Sequence, residues 1–171
     1  MIKRLFALLL AAALMLALPV TAAEPVTRFS DISGSGTEAM TVESLRLMGV
    51  MDGYANGTFR PNGELTRAQF CKMAIGVLNA EGQLGLYRTV TVFPDVKPSY
   101  WAAAYINMSA KGLNIISGYP DGKFYPDRIV TLGQACTILL RVLGYKDGNV
   151  GGVWPDSYLG AAARAGLLEG I

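Results

Sequence analysis

The chain has no histidine, and that absence removes the commonest general base and the commonest metal ligand together. It has only two cysteines, Cys71 and Cys136, too few for a disulfide scaffold or a zinc site. It has no excess of either charge. Once Lys3 and Arg4 of the leading segment are set aside, 13 basic residues face 13 acidic ones. A balance of that kind excludes the clustered positive footprint of a nucleic-acid binder and gives no strong field to steer a highly charged partner. No Gly-x-Ser-x-Gly elbow and no phosphate-cradling glycine loop occurs. The Asp/Asn-Gly loops at 52–57 and 117–122 do not read as EF-hands, because Tyr54 and Tyr119 fill the third ligand place and Gly63 and Arg128 the twelfth. These gaps argue against catalysis and cofactor chemistry and leave binding as the open class.

Long hydrophobic runs are missing everywhere except the start. Lys3 and Arg4 precede an uncharged apolar run from Leu5 to Leu18, then small residues through Ala22-Ala23, then Glu24. That order is a secretory signal peptide over residues 1–23. The alternative, a membrane anchor, needs roughly 20 apolar residues, and this run is shorter. Export makes a Cys71–Cys136 disulfide permissible, but spacing does not establish one. A small buried hydrophobe is the simpler role for each.

What the chain does have is repetition. Gly53-Tyr54-Ala55-Asn56-Gly57-Thr58-Phe59-Arg60-Pro61 recurs 65 residues on as Gly118-Tyr119-Pro120-Asp121-Gly122-Lys123-Phe124-Tyr125-Pro126. The same offset carries Thr66 to Thr131, Gln69 to Gln134 and Cys71 to Cys136. Upstream, Phe29-Ser30-Asp31, Phe93-Pro94-Asp95 and Trp154-Pro155-Asp156 match one another. Repeats therefore span 29–82 and 93–147, with a partial third at 153–171 that reads as cut short, as in a fragment of a longer protein.

Each full repeat reads as helix, loop, helix. In the second, Ser99 is the expected cap of a helix running to about Lys111, ended by Gly112. The Asn-Gly and Asp-Gly pairs suit tight turns with positive φ, after which Phe59 and Phe124 enter the core. Thr66 with Gln69, and Thr131 with Gln134, have capping-box spacing at the head of a second helix. Behind them lie apolar stripes, Phe70, Met73, Ala74, Val77, Leu78 and Ala135, Ile138, Leu139, Val142, Leu143. Gly82 and Gly144 are the expected stops, and Gly76 weakens its helix by roughly 1 kcal/mol relative to alanine. Two such helices cannot enclose a core alone, so the fold expected is mainly α, with stacked repeats burying one another's stripes.

Phe93-Pro94-Asp95, the Tyr100-Trp101 pair, the run Ser117 to Pro126, and Leu65-Thr66-Arg67-Ala68-Gln69 together resemble the S-layer homology family, over nearly all of residues 29–171. The resemblance implies tandem repeats in a pseudo-threefold helical arrangement. It also implies grooves between neighbours that bind secondary cell-wall polymer, often through a terminal pyruvylated amino sugar. It implies a ligand-binding set of Arg67, Asp95, Trp101, Ser117 and Gly118, with the Arg67 guanidinium meeting the acid in a forked contact. The function implied is noncovalent anchoring of an exported protein at a bacterial cell wall, with no enzyme activity and no cofactor. The alternatives are a degenerate structural or interaction repeat, and the anchor part of a longer wall-active enzyme. Leu132 stands where the second repeat should carry arginine, so one groove at most is fully equipped. The plain readings are a surface arginine at 67, a core tryptophan at 101, and turn or cap roles for Asp31, Asp95 and Asp156.

Overall fold

The structure, a computed structural model, describes residues 28–33 and 36–169. The expected signal peptide lies outside the described residues. The order of elements is α1 (Thr37–Leu47), α2 (Arg67–Val77), a 3-10 segment (Glu81–Tyr87), α3 (Ala103–Asn107) running into a π turn (Met108–Gly112), α4 (Leu132–Val142), a single turn α5 (Asp147–Val150) and α6 (Asp156–Arg164). Among the described residues there is no strand, only an isolated antiparallel bridge between Thr66 and Ile129, and no helix is long and apolar enough to cross a membrane.

Both capping boxes form. Thr66 Oγ1 accepts from the Gln69 amide and the Gln69 side chain accepts from the Thr66 amide; Thr131 and Gln134 repeat the arrangement. Each box satisfies amides that a helix start otherwise leaves orphaned. At α2 the next two amides are satisfied from the following repeat: Arg67 N–H donates to the Arg128 carbonyl (2.9 Å) and Ala68 N–H to that of Pro126 (3.0 Å). Val130 N–H donates back to Leu65 (2.9 Å), so the head of α2 is stitched to the second repeat.

Inside each repeat the same parts meet. Phe29 lies 5.3 Å from Phe59 and Phe93 5.1 Å from Phe124, ring centre to ring centre. The Tyr54 amide donates to Thr58 and the Tyr119 amide to Lys123, both at 2.8 Å, closing the two turns. Gly53 and Gly118 allow the phenylalanine of their own repeat to approach, since a Cβ there would sit 2.2 and 2.5 Å from the ring. The main core draws Phe70, Cys71 and Ala74 from α2 together with Phe93, Ile106, Ile115, Phe124 and Ile138. Cys136 and Leu140 of α4 pack instead with Tyr158, Ala161 and Ala162 of α6. Across both junctions the second helix of one repeat thus packs on the first helix of the next. The two cysteines are free, buried and in separate clusters.

Three expectations are corrected. The first helix of the second repeat begins at Ala103, not near Ser99, and its N-cap is Ala102 with no side-chain cap. Residues 97–103 make consecutive tight turns instead (Tyr100 N–H to Lys97, Ala103 N–H to Tyr100), and the Tyr100 hydroxyl is held by Asp127 at 2.7 Å. Gly82 does not stop α2. The chain leaves the helix at Asn79, where φ is 49°, and Gly82 sits in the 3-10 segment. Gly144, the equivalent of Asn79, does end α4 at φ 88°. Asp31 and Asp95 lie in tight turns ahead of the first helices, closed by Ile32 N–H to Phe29 and Val96 N–H to Phe93, as the turn reading expects, but neither caps a helix; each reaches across its repeat to the residues after the Gly-Tyr turn. Asp95 accepts from the amides of Phe124 (2.9 Å) and Tyr125 (2.7 Å), and Asp31 from those of Phe59 and Arg60 (both 2.7 Å).

Candidate functional site

Two grooves of similar size open beside the two turns. The larger, about 300 Å³, lies where three stretches of chain converge: the head of α2, which brings Arg67; the segment Ile115 to Pro120; and α4 with Trp154 beyond it. Arg67 is not a surface arginine. It is 2% exposed, at the base of this groove. Its Nε donates to the Phe124 carbonyl and its Nη2 to that of Ser117, both at 2.9 Å. The rings of Phe124 and Tyr119 flank the guanidinium at 4.4 and 4.8 Å.

No carboxylate lies within ion-pair distance of Arg67 among the described residues, whose ion pairs are Arg46–Glu43, Lys72–Asp52 and Arg141–Asp147. Burial holds its pKa below the ordinary arginine value, while the Asp95 charge acts weakly in the other direction. A buried cation neutralised only by backbone dipoles and ring faces is costly to desolvate, and an anion in the groove offsets that cost. Tyr119 faces the same groove. Burial raises the pKa of its hydroxyl, but the Gln134 hydrogen bond and the Arg67 and Arg128 charges outweigh burial and lower it overall.

Of the five residues singled out from the sequence, Arg67, Ser117 and Gly118 meet in this groove. Trp101 does not. It is 54% exposed, forms no part of the core, and lines the other groove, about 270 Å³, with Tyr54, Arg60, Gln69, Lys72 and Met73. There Arg60 stacks on Tyr54 at 4.1 Å and Lys72 is paired with Asp52. Asp95 lines neither groove; it fastens the turn that supplies the Phe124 carbonyl to Arg67. Leu132, at the place of Arg67 in the second repeat, is 51% exposed.

The S-layer homology domain model matches residues 28–71 and 92–136, more than half of the chain. The chain belongs to the S-layer homology family. It is 34% identical to a surface layer protein of Brevibacillus choshinensis over 77% of this chain and 12% of that protein. It is 29% identical to a cell surface protein of Thermoanaerobacter kivui over 99% of this chain and 22% of that one. It is 31% identical to a cellulosome-anchoring protein of Acetivibrio thermocellus, over 70% of this chain and 29% of the other. The chain thus spans less than a third of the length of each of these relatives.

Sequence reasoning missed three contributors to the Arg67 groove. Trp154 figures in the sequence pattern only as the counterpart of Phe93, and in the structure it lines the groove with its indole N–H donating to Thr137. Arg141 lines the groove while its Nε and Nη2 donate to Asp147 and its Nη1 to the Ile115 carbonyl. Its counterpart, Gly76, has no side chain, so the repeat comparison gave no signal for it. Tyr119 belonged to the turn motif, and its stacking on Arg67 follows only from the stitching of the two repeats.

Proposed function

We propose that this S-layer homology chain is a noncovalent anchor. On this reading it is exported and holds itself, with whatever it is joined to, at a bacterial cell wall by binding secondary cell-wall polymer in the Arg67 groove. The observation that carries the reading is the buried Arg67 guanidinium, with no counter-carboxylate among the described residues and an open groove above it. A terminal sugar bearing a carboxylate, such as a pyruvyl ketal, supplies the missing charge and accepts the guanidinium's remaining N–H groups. Relatives that are surface layer, cell surface and cellulosome-anchoring proteins support the location and the role. Ser117 and Gly118 form the groove edge in this account, Trp101 serves the neighbouring groove, and Asp95 holds the loop in place.

The second reading, a degenerate repeat with a structural or protein-interaction role, is favoured by Leu132, which leaves the head of α4 without the cation found at the head of α2. Cosedimentation with cell-wall sacculi separates the two. The anchor pellets with intact sacculi and stays in solution with sacculi stripped of secondary polymer. An interaction repeat stays in solution with both.

A further inference from the structure

Three tyrosine hydroxyls donate to carboxylates: Tyr100 to Asp127 at 2.7 Å, Tyr158 to Asp147 at 2.6 Å, and Tyr125 to Asp121. All three phenols are held above the ordinary tyrosine value, Tyr100 and Tyr158 first by burial and then by the carboxylate, Tyr125 first by the carboxylate. Tyr119 is built the other way round. The side-chain oxygen of Gln134 accepts the Thr131 amide in the capping box, so the side-chain nitrogen must be the donor that meets Tyr119 Oη at 2.9 Å. The cap thus fixes which end of the amide faces the tyrosine. The guanidinium carbons of Arg67 and Arg128 lie 4.8 and 5.3 Å from the centre of the ring, and Tyr125 meets it edge-on at 5.3 Å. Asp121 and Lys123 face Tyr125. Arg141, a further cation on the groove, is paired with Asp147, and Asp95, whose charge reaches Arg67, is occupied by two backbone amides. A donor and two cations therefore surround the Tyr119 hydroxyl, and no side chain accepts its proton among the described residues. Such surroundings favour phenolate over phenol. Burial opposes ionisation, and the Gln134 bond with the two arginine charges outweighs it.

We propose that Tyr119 is a pH switch on Arg67: as a phenol it leaves the buried guanidinium uncompensated, and in alkali its phenolate becomes the guanidinium's internal counter-anion. The step is the loss of one proton from Tyr119 Oη to solvent hydroxide, which the half-buried side chain can reach. No bond of the chain is made or broken. The groove then loses its net positive charge, and its attraction for any anion falls. Gln134 sets the direction of the switch. A glutamate in its place keeps the capping box but accepts the Tyr119 proton, as Asp127 accepts that of Tyr100. The charge on Arg67 alone carries the proposal, whereas its effect on wall binding rests on the anchoring reading.

The test is a spectrophotometric titration of tyrosinate in the folded protein, with no ligand added. The difference between the wild type and Tyr119→Phe isolates one phenol of eight. That phenol is expected to ionise below the ordinary tyrosine value of about 10, and Arg67→Ala and Gln134→Glu are each expected to move its midpoint up. Gln134→Glu retains the cap, so it reports the switch even if Tyr119→Phe or Arg67→Ala misfolds. A Tyr119 that ionises at or above the ordinary value, or a midpoint that Gln134→Glu leaves in place, overturns the switch. Cosedimentation with sacculi over the same pH range gives the second readout. Wild-type binding is expected to fall through the Tyr119 midpoint, and Tyr119→Phe is expected to lack that fall. Wild-type binding that holds steady through the midpoint overturns the switch. The expected titration with no binding to sacculi at any pH overturns the anchoring reading and leaves the switch standing.

Discussion

At the residue scale, the most instructive comparison is between two aspartates in the same role. Asp95 is partly buried and Asp31 is exposed, yet each accepts two amides from the chain just after its turn. The Phe59 amide, with that of Arg60, holds the Asp31 carboxyl below the ordinary aspartate range. Asp95→Ala is expected to cost about 2 kcal/mol, since it abandons two charge-assisted bonds in a shielded site, and Asp31→Ala less. Thermal denaturation of the two variants checks the order; equal losses contradict it. The resemblance suggested a ligand for Asp95, and the geometry gives it a backbone to hold. Sequence spacing shows which residues recur but not how far a side chain reaches across a repeat. The same limit hid Trp154. Its place in the repeat was plain, but its hydrogen bond to Thr137 of α4 was not.

At the element scale, the second helices were the most legible parts, because Thr-x-x-Gln fixes both the start and the cap. The first helix of the second repeat was least legible: its short α3 continues as a π turn, where the Ile115 amide reaches the Ser109 carbonyl at 2.9 Å. Gly76 shows why propensity alone misleads. Alanine there gains roughly 1 kcal/mol of helix propensity. Its Cβ, however, would lie 2.8 Å from Val50 Cα and 3.0 Å from the Gly49 carbonyl, both backbone atoms that cannot step aside. Gly76→Ala is therefore expected to destabilise by about 1–3 kcal/mol, as overpacking does. Gly82→Ala meets nothing within 4 Å and is expected to be neutral or better. Chemical denaturation decides it, and a stabilised Gly76→Ala contradicts the close approach of the two segments.

The link from α4 through α5 to α6 is electrostatic and should titrate. Hydrogen bonds first from Arg141 and then from Tyr158 hold the Asp147 carboxyl below its ordinary value. A depressed folded pKa gives a contribution that is complete above the unfolded aspartate value, about 3.9, and is lost as pH falls through the folded one. The wild type should melt above Asp147→Asn near neutral pH, and the gap should close as pH drops below about 4. A gap that persists unchanged into acid contradicts the role given to this carboxylate.

At the scale of the whole molecule, the repeats are alike in frame and unlike in equipment. Turns, phenylalanine pairs and capping boxes recur, so the helical repeat architecture could be read from the 65-residue offset. The grooves do not recur. One has a buried, uncompensated Arg67, and the other has Trp101 with a cation already paired to Asp52. That asymmetry was only half legible. Leu132 announced a missing cation, but the place of Arg67 follows from the stitching of α2 to the second repeat, which sets it beside Ser117, Gly118 and Tyr119 of that repeat.

If a wall polymer's acid completes the charge of Arg67, then Arg67→Ala should cosediment with intact sacculi far less than the wild type does. Loss of a charge-assisted contact worth about 1.5–3 kcal/mol should weaken binding roughly tenfold to a hundredfold. Near-UV circular dichroism confirms that the variant is folded. A folded Arg67→Ala that pellets as the wild type does contradicts the account.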